Sequence, residues 1–420
     1  MKYKKYECNG YTIHLLKTNK FKSIFLSLVL INEYKKESLI KNFVLRKLLT
    51  SSSKNLKNEI EVSKKVCDLY NSGISISNDV YNNTITTNID MEVLEDKYTE
   101  EGLFEKALDY YFDTIFNPNI IDGKFEKNNY DLAIKSINEY FDREKENTGG
   151  YAYNKAYSLM DEETLKYPST GEKKDLENVN QKIMVDYYNE LIENANANLF
   201  VIGNFDENKL IEYLNNNKNI RLIKNENKYI DRIFDENTKL KTGEDVEKNN
   251  QSILILIYKI INLTQRERNV ILPVFTRIFG ASSNSRIFKS VREKNSLCYN
   301  IKSTYSRSSS IFYIDAGISY KNKDKVIELI NKEFEDIKNG NITKEEFEEA
   351  IKFRRKNLKQ FDDYIDSLSY IKQSNVLFNN DDLDERRKQV ETIKKEELVE
   401  LAKKIELNVE YILKGDKDNE

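Results

Sequence analysis

Phe279-Gly280-Ala281-Ser282-Ser283-Asn284-Ser285-Arg286-Ile287-Phe288, continued by Val291-Arg292-Glu293-Lys294-Asn295-Ser296-Leu297-Cys298-Tyr299, is the most informative stretch of this 420-residue chain. It follows an apolar helical run over 265–279 that Pro273 should kink, because proline lacks the amide hydrogen an interior turn needs. A second helix is expected over 285–292. Residues 298–305 and 311–318 then read as two β-rich runs that pair as a hairpin.

Outward from there the same logic continues. Val326, Ile330, Phe334 and Ile337 give one buried face to a helix over 324–339, and Gly340 supplies the left-handed residue that commonly ends helices. Thr343 and Glu346 have capping-box spacing and start another long helix. A helix near 395–404 and a strand over 409–413 close the chain, and 252–260 is an apolar strand.

The first half has the same order of elements. Strands are expected over 10–17 and 23–31, joined as a hairpin, followed by helices over 38–50 and 59–70. A second hairpin joins 74–80 to 85–91 across Asn82-Asn83. Phe104, Ala107, Leu108, Tyr111, Phe112 and Ile115 repeat at helical spacing, and Pro118 ends that helix. Helices over 122–143, 151–160 and 180–193 precede a strand over 198–202. Leu199-Phe200-Val201-Ile202-Gly203 is echoed by Glu410-Tyr411-Ile412-Leu413-Lys414-Gly415. The expectation is α+β: two related halves, 1–214 and 250–420, each a mainly antiparallel sheet with helices on one face, joined by a polar linker over 215–249 that contains a weak strand signal at 229–234.

Composition narrows the function. Lys and Arg number 67 against 70 Asp and Glu, for a net charge of -3, so the clustered cation excess that binds nucleic-acid backbones is lacking. The pairs at 64–65 and 354–355 read as solvated helix faces. No run approaches the roughly 20 apolar residues of a membrane helix, and the first apolar run is too late and short for a signal peptide. Cys8, Cys67 and Cys298 are odd in number and unrelated in spacing, which suits reduced thiols. A cytoplasmic protein is expected, and its Lys, Asn and Ile usage resembles AT-rich coding. The single histidine, His14, sits in an expected strand and reads as a surface or half-buried residue. With one imidazole, neither H-E-x-x-H nor H-x-x-E-H can be written. Neither a glycine-rich phosphate loop nor a local Cys-His signature occurs.

The quoted stretch resembles the C-terminal pattern of the insulinase-like, or pitrilysin, zinc peptidases: F-G-G-x-x-x-S-R-L-F followed by R-E-K-x-x-L-x-Y. The resemblance implies the two-half fold of the mitochondrial-processing-peptidase/LuxS-like metallohydrolase type. It also implies a substrate-facing pair, Arg292 and Tyr299, in which a guanidinium grips a peptide carbonyl and a phenol donates beside it. The plain alternative is an arginine ending a helix and a tyrosine packed in a strand. Residues 342–350 and 167–179 are similar to two further segments of the family.

The zinc box departs from that pattern. Residues 48–55 align with the family's M-L-F-K-G-T-K-N, which places the two histidines on Phe43 and Lys47, the glutamate base on Arg46 and the third ligand on Lys135. Cations and a ring in place of lone-pair donors repel a divalent ion. The implied role is a non-catalytic subunit of a heterodimeric bacterial peptidase. It has no catalytic residue, metal or cofactor of its own; zinc lies in a related partner, and a peptide or protein is the substrate. The pattern is also similar to a group associated with aminopentanol modification of elongation factor P. The competing reading is a clam-shaped dimer that binds a peptide or protein and cleaves nothing. A strand near 73–78 could take a peptide by edge addition, or lie inside its sheet.

Overall fold

The computed structural model describes residues 2–8, 10–223, 225–236 and 239–416. In chain order the first half contains β1 (Lys2–Glu7), β2 (Tyr11–Lys17), β3 (Ser23–Glu33), α1 (Lys36–Ser51), α2 (Glu59–Asp68), β4 (Ile74–Tyr81), β5 (Thr84–Leu94), α3 (Leu103–Phe116), β6 (Ile120–Ile121), β7 (Lys124–Phe125), α4 (Lys127–Asp142), α5 (Thr148–Ser158), α6 (Glu163–Lys166), α7 (Gln181–Asn194), β8 (Asn196–Gly203) and α8 (Glu207–Asn216). The second contains β9 (Lys241–Glu247), β10 (Ser252–Ile260), α9 (Leu272–Phe279), β11 (Cys298–Ser306), β12 (Ile311–Ile318), α10 (Lys323–Lys338), α11 (Lys344–Gln360), α12 (Ile365–Leu377), α13 (Leu383–Val390), α14 (Lys395–Lys403) and β13 (Ile405–Gly415).

Two large sheets share one plan. The first has the order β4-β5-β3-β8-β2-β1 and the second β11-β12-β10-β13-β9. In both, three antiparallel pairings are followed by a parallel one, β8 with β2 and β13 with β9. The echoed segments at 199–203 and 410–415 thus occupy equivalent places, next to the central strand of each sheet.

The expected hairpin of 10–17 with 23–31 does not form, because β8 lies between β2 and β3 and pairs with both. From Ala197 to Gly203 β8 is buried throughout, as a strand covered on both faces must be, and this favours the sheet interior. The hairpin over Asn82-Asn83 does form, with Asn82 at φ 43° in the left-handed region that asparagine tolerates. Residues 241–247, read as linker, are β9, an edge strand whose Lys-Thr-Gly-Glu-Asp-Val-Glu sequence is too polar to register as a strand. The weak signal at 229–234 amounts to a single bridge from Phe234 to Ile261. β1 was not foreseen either; its Lys-Tyr-Lys-Lys-Tyr-Glu sequence suits an outer strand, where lysines discourage further pairing. Pro273 stands at the start of α9, after a π-turn over Glu267–Ile271 that absorbs the expected kink.

The chain divides into two compact units that are discontinuous in sequence: residues 1–142, 168–230 and 364–373 form unit 1, and residues 143–167, 231–363 and 374–420 form unit 2. In unit 1 one sheet face meets α1, α3 and α7 in a core containing Leu26, Leu28, Leu30, Leu48 and Tyr111. The other face carries Phe25 and Ile202, which pack with Ile365 and Leu368 of α12, while Gln373 Nε2 donates to Ser27 Oγ at 2.9 Å. In unit 2 the corresponding second face carries Ile255, Ile257, Val409 and Tyr411, packed with Ala152 and Ala156 of α5. Each sheet therefore has its helices on one face and receives a single helical segment on the other. Among the described residues no helix is long and apolar enough to cross a membrane.

Candidate functional site

Phe43, Arg46 and Lys47, which the resemblance aligns with the zinc box, lie on α1 of unit 1. Phe43 is 7% exposed and stands edge-on to Tyr140 and Phe141 of α4, with centroids 5.0 and 5.9 Å away. The Arg46 guanidinium lies 4.3 Å from the Phe43 centroid, so the ring is sandwiched between a cation and an aromatic pair. Burial pulls the Arg46 pKa down, opposed by the nearby Tyr140 phenol. One residue on, Lys47 Nζ is 3.4 Å from Glu59 Oε1 of α2. Lys135 is exposed on α4, outside the buried stripe of Asn129, Ala133, Ile137 and Phe141. These side chains do not fit a zinc ion: a ring without a lone pair fills the first position, and protonated nitrogens fill the others. Among the described residues no three His, Cys, Asp or Glu side chains are grouped to hold a metal.

The lone histidine is also remote from metal chemistry. His14 is 2% exposed in β2, deeper than its expected half-buried place, with Nδ1 2.9 Å from the Tyr3 hydroxyl and Nε2 3.0 Å from Asn198 Oδ1. It stacks on Phe200 at 4.3 Å. Burial lowers its pKa to about 4, against the raising effect of the Asn198 bond, so the ring is neutral near pH 7.

Unit 2 carries the other motif. Phe279 is fully buried, its ring 5.5 Å from Phe275, 5.6 Å from Phe312 and 4.1 Å from Phe334. The next residue must be small: a Cβ on Gly280 would lie 2.5 Å from Ser303 Oγ and 2.6 Å from Ile287 Cδ1. Ser285 Oγ donates to the Ser282 carbonyl at 2.6 Å and closes the loop. Arg286 then reaches across to α11, with Nε 3.0 Å from Glu346 Oε1 and Nη2 2.9 Å from Oε2, while Glu346 Oε2 also accepts from the Thr343 amide at 3.0 Å in the foreseen capping box. Two motif segments, joined through residues 60 positions apart, are thereby bolted together by a bidentate pair. Burial raises the Glu346 pKa, but the bonds from Arg286 and Thr343 outweigh it and hold the carboxyl below its usual range.

Arg292 and Tyr299 come together at the end of this scaffold. Arg292 lies in a π-helical turn, Phe288–Lys294, with its guanidinium 4.8 Å from the Phe288 centroid and 5.7 Å from that of Tyr299. The turn closes through Ser296 N to Arg292 O at 3.0 Å and Leu297 N to Val291 O at 3.1 Å. Tyr299 is the extra residue of a β-bulge, since β11 pairs Cys298 with Ile318 and then Asn300 with Gly317. A bulge on an edge strand re-aims a side chain. Tyr299 is 77% exposed, so it does not pack in its strand. Asn300 Oδ1 accepts from Gly317 N at 3.2 Å, and a Cβ on Gly317 would lie 2.5 Å from that oxygen. Asn300 and Gly317 were not foreseen, because a bulge depends on the register of two strands and leaves no local signal. Burial pushes the Cys298 thiol up to about 11, despite the lowering influence of Arg292, which disfavours its thiolate near neutral pH.

Residues 178–353, which include both Arg292 and Tyr299, match the family model described as the peptidase M16 inactive domain. A probable inactive metalloprotease of Bacillus subtilis, YmfF, is 22% identical over 415 residues, spanning 97% of this chain and 96% of the relative. A conserved Enterococcus faecalis V583 protein of known structure is 23% identical with a TM-score of 0.90, each chain covered over 100%. A peptidase M16 inactive domain from Pseudomonas fluorescens gives a TM-score of 0.78 at 13% identity, over 99% of this chain and 98% of the other. A Helicobacter pylori protease also gives 0.78, at 16% identity over 98% and 99%. With its two sheets of one plan, the chain is similar in fold to M16-type peptidases, and over residues 178–353, which hold the paired arginine and tyrosine, it is similar to the peptidase M16 inactive domain.

Proposed function

We propose that the protein is the non-catalytic, substrate-binding subunit of a heterodimeric M16-type zinc peptidase, lending Arg292 and Tyr299 to a partner that carries the metal. The observation that carries this reading is a contrast. The Arg292–Tyr299 pair is displayed to solvent by a built bulge, whereas the positions of the zinc box are filled by a packed ring and two cations. Lending the pair makes chemical sense because a guanidinium and a phenol stabilise a developing oxyanion without holding a metal themselves. β4 is an edge strand, with β5 as its one neighbour, and this supports main-chain addition of an extended peptide there.

The test is reconstitution. The chain is mixed with a related subunit that bears an intact H-x-x-E-H box, and peptide turnover is followed with Arg292→Ala and Tyr299→Phe variants. A drop in kcat of tenfold or more, with assembly unchanged by sedimentation, supports the reading. Undiminished turnover with both variants, or zinc-dependent cleavage by this chain alone, refutes it. Undiminished turnover favours a binding scaffold instead.

A further inference from the structure

Four arginines of unit 2 are fixed by carboxylates: Arg266 by Glu397, Arg286 by Glu346, Arg355 by Glu391 and Arg387 by Asp362. Each of these pairs occupies N–H donors and offsets the charge of the guanidinium. Arg292 is held differently. Its side chain makes no hydrogen bond or ion pair among the described residues, and its guanidinium lies over two rings, 4.8 Å from the centroid of Phe288 and 5.7 Å from that of Tyr299.

Phe288 and Arg292 share the π-helical turn over Phe288–Lys294, and Asn295 braces that turn by donating from Nδ2 to the Ser290 carbonyl at 2.7 Å. Phe288 is half-buried, so one ring is anchored in the scaffold while the exposed Tyr299 closes the stack from the solvent side. An aromatic face attracts a cation without taking up any N–H. It therefore restrains a long, rotamer-rich side chain and leaves every guanidinium donor open to a ligand. An arginine without such a platform has to be ordered by the substrate itself, at the expense of binding.

We propose that Phe288 is a positioning residue, whose ring holds the Arg292 guanidinium against Tyr299 with its N–H groups left for a peptide carbonyl. This rests on reading Arg292 and Tyr299 as the pair lent to a partner's zinc site, and it adds the residue that keeps the pair assembled before substrate arrives.

The isolated full chain, isotopically labelled at arginine nitrogen, tests the platform by NMR. Arg292→Lys identifies the Arg292 Nε–H resonance by its loss. Phe288→Leu should shift that resonance, because the ring current is gone, and should quicken its exchange with water, whereas Phe288→Tyr should preserve both. The same variants are then mixed with a related subunit that bears an intact H-x-x-E-H box, and cleavage of a reporter peptide is followed. Phe288→Leu should lower kcat at least fivefold, and Phe288→Tyr should rescue most of it. An unmoved Nε–H resonance in Phe288→Leu overturns the proposal, as does turnover that Phe288→Leu leaves intact while Arg292→Ala lowers it. Turnover indifferent to Arg292→Ala sinks the subunit reading instead, and the resonance in the isolated chain still decides for or against the platform. If Phe288→Leu does not fold, pentafluorophenylalanine in place of Phe288 keeps the ring's shape and inverts its charge distribution; a displaced resonance and lower turnover are again expected, and unchanged values refute the role.

Discussion

Removing Glu162 should loosen unit 2 more than removing its partner, Lys259. Lys259 lies on β10 with its side chain 1% exposed, and Nζ is 2.6 Å from Oε1 of Glu162, which precedes α6 and is 17% exposed. At that distance the attraction is about 6 kcal/mol with an effective dielectric near 20, before desolvation is subtracted. Breaking such a pair from one side costs about 3–5 kcal/mol, because a buried charge is left without its counter-ion. Glu162→Ala takes the carboxylate away from an ammonium whose side chain is 1% exposed, and the Phe234 ring, 4.9 Å from Nζ, offsets about 1–2 kcal/mol of that cost. A loss of about 3 kcal/mol is expected. Lys259→Met leaves a carboxylate that can rehydrate, so about 1–2 kcal/mol is expected, and the double change Glu162→Leu with Lys259→Met should lie near the native value. Hydrogen exchange resolved over β10 and α5 reads the opening free energy of this unit without requiring two-state unfolding of the whole chain. A loss under 1 kcal/mol for Glu162→Ala, or a larger loss for Lys259→Met, would refute the argument from burial asymmetry.

Tyr111→Phe should destabilise unit 1 by about 1–3 kcal/mol in chemical denaturation, because its hydroxyl accepts from Leu28 N at 2.8 Å and donates to Ile89 O at 2.6 Å inside a dry core. His14 is neutral in the fold and titrates near 4, against about 6.5 unfolded, so the unfolded chain binds its proton first. Its contribution is therefore intact above pH 6.5 and lost between there and pH 4, by roughly 3 kcal/mol, and an imidazole NMR titration midpoint near 6.5 in the folded chain would contradict this. Glu346 has the opposite dependence: its folded pKa lies below the unfolded value of about 4.3, so its stabilisation is present above that value and disappears as pH falls through the folded pKa. Glu346→Gln should remove that acid-side dependence in a pH series of melting temperatures. Arg292→Ala and Tyr299→Phe should shift stability by no more than about 0.5 kcal/mol, since both side chains are exposed; a larger shift in thermal unfolding would mark them as structural.

Much of this protein is set by local chemistry, and that part was readable in the chain itself. The faces of α3 and α10, the capping box at Thr343, the turn at Asn82 and the hairpin of β11 and β12 each follow from residues within a few positions of one another. The unsuitability of Phe43, Arg46 and Lys47 for zinc is likewise a property of side-chain type. What tertiary structure alone decided is everything that depends on distant partners. β8 enters between β2 and β3, α5 and α12 cover sheet faces far from them in sequence, Arg286 finds Glu346, and a bulge turns Tyr299 outward. Strand order and register are chosen by burial summed over a whole sheet, and no short window of residues contains that sum.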